Sequence, residues 1–156
     1  MPTIPKLSQT KKKYFKSKAR EPKRDILNNA QQKYFNTRKY REFHRVCLMR
    51  QPICELSLLS DPPKVVEATH THHLIKWFDQ TTEEMRLRLL YDPDNILCLD
   101  EHVHQWIHYS PERLSDKQKE FIKQRKDEVY AKYLAQGIII NYTDDHNPGR
   151  FFGDQK

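Results

Sequence analysis

The sequence predicts an α+β fold: a strand, an Ω-like connection, a second strand and a short helix, with further helices on either side. Three observations predict it. Lys64 to Leu74 is rich in valine and threonine and reads as a strand. Ile96 to Leu99 is a short apolar run set between the turn Asp92-Pro93-Asp94-Asn95 and Asp100, and reads as a second strand. Tyr40, Phe43 and Cys47, and again Phe121, Ile122, Val129, Tyr130, Tyr133 and Leu134, recur at helical spacing.

Taken in order, Met1 to about Arg24 is polar, lysine-rich and without a sustained apolar period, so 1–24 is expected to be a flexible basic arm. A domain over 25–142 and a polar tail over 143–156 follow. Thr37 to about Arg50 is expected to be helical, ending before Pro52. Ile53 to Pro63 is turn-rich. Trp77 to Asp94 connects the two strands, and within it Thr81 to Tyr91 can form a helix capped by Thr81 or Thr82. Asp100 caps a short helix carrying Val103, Trp106 and Ile107. Ser110-Pro111-Glu112 opens another helical turn, with proline at a tolerated first position. Ser115-Asp116-Lys117-Gln118 is a capping box for a longer helix that Gly137 can close. Ile138 to Tyr142 reads as one more strand.

Composition bounds what this fold can do. The chain has 156 residues, 37% of them hydrophobic, and a mean hydropathy of −0.95, so its core is small. No apolar run approaches the roughly 18 residues of a membrane span, and Met1-Pro2-Thr3-Ile4-Pro5 has no apolar signal region. A cytoplasmic protein without a membrane partner is expected. Cys47, Cys54 and Cys98 are odd in number and lack paired spacing, which points to free thiols in a reducing compartment. The net charge is +7 and the pI about 9.3. Up to Arg45 the only acids are Glu21, Asp25 and Glu42, against a long series of lysines and arginines interleaved with Tyr14, Phe15, Tyr34, Phe35 and Tyr40. Such a balance favours a polyanionic partner, because basic side chains displace counterions from phosphates.

Six of the eight histidines lie between His70 and His108, on the strand–connection–strand–helix unit. His104 and His108, at i and i+4, share one helix face and can bind one metal ion. His72 and His73 are adjacent and point to opposite sides of an extended chain, so one can bind metal while the other faces solvent and substrate. His70 shares His72's face and is a rival ligand. Asn95 sits where an asparagine caps or bridges a turn. Each part alone is better explained without chemistry: His104 and His108 by a solvated helix face, the strand histidines by a polar strand end, and Asn95 by a turn. Together they form an ordered set: His72-His73, Asn95, His104, His108.

That order resembles the HNH (ββα-metal) nuclease family, and most of all its colicin-type DNases and phage HNH proteins. There a double histidine ends the first strand, an asparagine opens the second, and an H-x-x-x-H pair lies on the helix. The resemblance spans about Tyr34 to Tyr109 and includes Tyr40-Arg41-Glu42-Phe43-His44-Arg45 and Gln51-Pro52-Ile53-Cys54-Glu55. Many members also hold a structural zinc with two C-x-x-C pairs. Here those positions are Cys54 and Ser57, then Asp100 and Val103. A single thiol cannot complete a zinc knuckle, so no structural zinc is expected. Packing by Trp77, Leu97, Leu99, Val103, Trp106 and the C-terminal helix has to substitute, with Cys98 a core residue.

The resemblance implies a DNA endonuclease. His72, His104 and His108 would hold one divalent ion, His73 would act as general base, and Asn95 would fix the loop that orients His73. Imidazole ligands favour Zn²⁺ or Ni²⁺ over Mn²⁺ in binding strength, and Mg²⁺ prefers oxygen, so the ion stays open among these. Lys11, Lys12, Lys13, Arg38, Lys39, Arg41, Arg45 and Lys76 are candidates for contacts to the DNA backbone. Two other readings stand beside this one. One is an inactive HNH-like DNA-binding protein of a phage packaging assembly, with terminase proteins as partners. The other is a closed structural site of four histidines. Oligomeric state is not readable.

Overall fold

The computed structural model describes residues 30–142. The basic arm 1–24, with Lys11, Lys12 and Lys13, and the tail 143–156 lie outside the described residues. A helical stretch over 30–35 leads into α1 (Arg38–Arg50), where the Thr37 side chain accepts from the Tyr40 amide. Cys47 is the buried point of α1. It packs with Ala68, Ile96 and Cys98, and Phe43 and Leu48 lie against that cluster.

β1 (His70–His73) pairs antiparallel with β2 (Ile96–Leu99), so that His70 opposes Leu99 and His73 opposes Ile96. The strand expected over Lys64–Leu74 is therefore mostly not a strand. Its partner β2 is short, and what faces the earlier residues is irregular. Cys54 donates to the Val66 carbonyl at 2.8 Å, Ala68 donates to the Pro52 carbonyl at 2.8 Å, and Glu67 makes one isolated bridge with Ile53. Val65 remains 77% exposed. Valine content marked an extended segment but not a paired one.

The connection carries α2 (Glu83–Leu90), capped by Thr82, with Leu89 and Leu90 fully buried. A 3₁₀ turn, Pro93–Asn95, delivers the chain to β2, every residue of which is buried. Asp100 then caps α3 (Glu101–Tyr109) by accepting from the amides of His102 and Val103. A 3₁₀ turn, Pro111–Arg113, precedes α4 (Asp116–Ala135), which opens on the expected reciprocal bonds between Ser115 and Gln118. Gly137 ends it in the left-handed region at φ 72°. Its amide reaches the Leu134 carbonyl and that of Ile138 reaches Tyr133, which together satisfy two otherwise unpaired carbonyls.

α4 turns Gln118, Ile122, Lys126, Val129 and Tyr133 inward, at three- and four-residue spacing. Leu134, expected on that face, is 53% exposed. The 138–142 segment is not a strand either. Gln80 takes the place of a neighbouring strand: its Oε1 accepts from the Asn141 amide at 2.8 Å and its Nε2 donates to the Asn141 carbonyl at 3.1 Å. One buried side chain thus satisfies the backbone that a ladder would have satisfied.

The main core gathers Cys54, Leu56, Trp77, Leu89, Leu97 and Val103 with Ile122, Val129 and Tyr133 of α4. A polar clamp ties α4 to the approach to β2: Lys132 Nζ donates to both oxygens of Asp92 at 2.9 and 3.0 Å, and Tyr133 donates to Asp92 at 2.9 Å. All three cysteines are free and buried. No helix among the described residues is long and apolar enough to cross a membrane.

Candidate metal centre

Alternation along β1 sorts its residues onto two faces. His70 and His72 meet α3. Thr71 and His73 meet the aromatic side chains of α1 and the connection. On α3, His104 and His108 lie one turn apart with ring centroids separated by 4.7 Å, and His72 approaches them at 5.9 and 5.0 Å. One nitrogen from each of the three rings lies within 4.8 Å of the others. They form the one group of three or more such donors among the described residues.

These rings can hold a metal ion. A tetrahedral ion with bonds of ~2.0–2.1 Å to nitrogen sets its ligands about 3.4 Å apart, so small side-chain rotations close the gap. Their protonation state also fits, since a ligating imidazole must be neutral. Burial, then the adjacent His108 and His104, hold His72 well below the ordinary imidazole value. Burial and the His108 ring lower His104 to about 4, and burial lowers His108.

His70, the rival ligand, is not in the group. Its ring stacks on His104 with centroids 5.1 Å apart, and its Nδ1 lies 2.9 Å from Thr69 Oγ1. His102 is exposed in the first turn of α3.

His73 faces away from the three rings yet stays close enough for its charge to oppose that of His72. It is half-buried between Tyr40, with centroids 6.4 Å apart and planes 25° apart, and Trp77 at 6.3 Å. Its Nε2 lies 3.1 Å from the Leu90 carbonyl. A carbonyl can only accept, so Nε2 carries the hydrogen and Nδ1 keeps its lone pair. Burial lowers this ring to about 4, and the Leu90 carbonyl, which favours the protonated form, opposes that shift.

Asn95 does more than bridge a turn. It is fully buried, its Oδ1 accepts from the Ile75 amide at 2.8 Å, and its Nδ2 donates to the carbonyls of Ile75 and Leu89 at 3.0 and 3.1 Å. It therefore clamps the chain just after His73 to the residue preceding Leu90.

The four positions that a zinc knuckle would use converge, and hydrogen bonds join them. Ser57 Oγ donates to Asp100 Oδ2 at 2.9 Å and lies 3.2 Å from Cys54 Sγ, while the Val103 amide donates to Asp100 Oδ1 at 3.2 Å. Burial opposes ionisation of Asp100. Hydrogen bonds from Cys54, Val103, Ser57 and His102 outweigh it and hold the carboxyl below its usual range.

Of the expected DNA contacts, Arg38, Lys39, Arg41 and Arg45 are exposed on α1. Three already have partners. Lys39 Nζ sits 4.3 Å over the Tyr91 ring, Arg41 donates to the Asn36 carbonyl at 2.8 Å, and Arg45 pairs with Glu42 at 2.6 Å. Lys76 is half-buried in the connection.

Sequence reasoning missed the Leu90 carbonyl, the Ser57–Asp100 bond and Lys126, a buried cation whose charge reaches His72. Only Lys126 left a readable signal, a lysine in step with Ile122 and Val129 on the apolar face of α4. The chain matches no family model, and no curated protein or solved structure is significantly similar to it.

Proposed function

We propose that the chain is an endonuclease of the HNH (ββα-metal) type that hydrolyses DNA phosphodiester bonds with one divalent ion. The observation that carries this reading is the meeting of His72, His104 and His108 around one point, with His73 held separately on the other face of the same strand. The order of the chain through this region, strand, connection, strand and helix, is the order the family resemblance implies.

In this reading His72, His104 and His108 hold the ion. A bound divalent ion neutralises charge that builds on the phosphate and on the departing oxygen. Water attacks phosphorus while its proton passes to His73 Nδ1, the P–O3′ bond breaks, and the 3′ oxygen takes a proton from solvent. The products are 5′-phosphate and 3′-hydroxyl ends. The Leu90 carbonyl stabilises the imidazolium that forms at His73, much as a carboxylate does for other general bases. Asn95 keeps Leu89, and with it the Leu90 carbonyl, in register with β1. Arg38, Lys39 and Arg41 on α1 contact the DNA backbone, with Lys11, Lys12 and Lys13 of the arm. A phage or mobile-element setting, with packaging (terminase) proteins as partners, follows from the resemblance alone.

The test is plasmid nicking with Mg²⁺, Mn²⁺, Zn²⁺ and Ni²⁺ added singly. The wild type cuts with at least one ion, and His73→Ala loses about 10²–10⁴-fold in rate, the range of a general base, while retaining metal binding. A wild type that binds DNA but cuts with none of these ions leaves the inactive DNA-binding reading in its place.

A further inference from the structure

We propose that Tyr40 is a positioning residue for His73, its ring fixing the tilt of the imidazole. The kinetic consequence rests on the nuclease reading, whereas the structural one does not.

Thr71 and His73 share one face of β1, and Tyr40 reaches over both from the first turn of α1. Its ring stacks on His73. Tyr40 is itself confined, with Phe35 4.8 Å away, Phe43 at 6.3 Å and Tyr91 at 6.4 Å, and its amide is bonded to the Thr37 cap. An imidazole held by a single hydrogen bond can still tilt out of that bond and sample the other tautomer. The Nε2 bond to Leu90 fixes one end of His73, and the walls of Tyr40 and Trp77 remove the swing. Together they aim Nδ1, the nitrogen that must meet the attacking water. Displacing a reacting group by about 1 Å can cost 10²-fold in rate, so a wall that prevents tilting has a measurable effect.

A packing role alone makes a different prediction. Leucine would then replace tyrosine with some loss of stability and no change at His73. The experiment therefore compares Tyr40→Leu, Tyr40→Met and Tyr40→Phe in the full chain. The first readout is the imidazole ¹⁵N shifts of His73. Wild type shows a single tautomer with hydrogen on Nε2, Tyr40→Leu shows an average of two, and Tyr40→Phe shows the wild-type pattern. The second is plasmid cleavage. Tyr40→Leu lowers kcat about 10- to 100-fold with KM and metal affinity within about twofold, and Tyr40→Phe restores most of the loss. Wild-type ring shifts together with wild-type kcat in Tyr40→Leu overturn the proposal. If Tyr40→Leu does not fold, Tyr40→Met decides: it fills similar space without an aromatic face, and wild-type ring shifts together with wild-type kcat in it overturn the proposal. If the wild type cuts no DNA, the nuclease reading fails and the ring shifts alone judge Tyr40.

Discussion

Three imidazoles become a binding site only when each is neutral and aimed, and burial does both here. Partial burial of His72 and His104, and the shielded side of the otherwise exposed His108, disfavour their charged forms and leave lone pairs for an ion at neutral pH. Each of the three would then contribute a bond to an ion that His70 does not replace, because His70 has its Nδ1 against the Thr69 hydroxyl and lies outside the group. His104→Ala or His108→Ala is therefore expected to weaken Ni²⁺ or Zn²⁺ binding by about 100-fold or more in calorimetry, beyond the 10- to 100-fold typical of an outer-shell partner. His70→Ala, which removes only a ring stacked on His104, should fall within that outer-shell range or below it. Equal losses in all three variants would make His70 a ligand and would redraw the site.

At the scale of elements, the decisive contacts run from side chain to backbone. Asn95 is fully buried and satisfies three backbone groups across the connection. Asn95→Ala leaves the Ile75 peptide and the Leu89 carbonyl without partners in the interior, at about 1–3 kcal/mol for each unsatisfied group. Urea unfolding should show a loss of about 3 kcal/mol or more. A loss below about 1 kcal/mol would mean that the clamp contributes little. Asp100 plays a comparable part at the start of α3. Its carboxyl is 7% exposed and titrates below its unfolded value of ~3.9 because four hydrogen bonds hold the ionised form. A depressed carboxylate adds stability above its unfolded pKa and loses it as pH falls through the folded one. The wild type should thus destabilise steeply below about pH 4, and Asp100→Asn should flatten that slope in melts taken from pH 6 to pH 3. Much of this level was legible beforehand. Asp100 and Ser115 cap the helices that the sequence assigned to them, and Thr82, one of two expected candidates, caps α2, because a cap is a local event between neighbours. Strand and helix periods placed His104 with His108 on one face and His72 with His70 on another, and the family resemblance, not the periods, singled out His72 as the third of the group that the structure brings together. The strands expected at 64–69 and 138–142 failed for the opposite reason. Pairing is not local, and neither valines nor isoleucines reveal that Pro52 and Gln80 stand where a partner strand would be. The Leu90 carbonyl was equally hidden, since any residue can supply a carbonyl.

For the whole molecule the question is what brings a polyanion to the site. Nine of the lysines and arginines lie in residues 1–24 with a single acid, Glu21, and the rest of the chain carries 19 basic and 20 acidic side chains. The net charge of +7 therefore resides in the arm, and the part that bears the histidines is close to neutral. Within that part the basic side chains of α1 are partly spent on Glu42, Asn36 and Tyr91. Under the proposed function, long-range attraction for DNA would come from the arm, which would neutralise phosphates and release their counterions. Each phosphate contact adds about 0.9 to the slope of log K against log salt for duplex DNA. Removing residues 1–24 should reduce that slope by at least about 3 and weaken binding most at low salt. Metal affinity at His72, His104 and His108 should stay as it is, because the three donors come from β1 and α3. A truncated chain with the full salt slope would place the phosphate contacts on α1 and the connection instead.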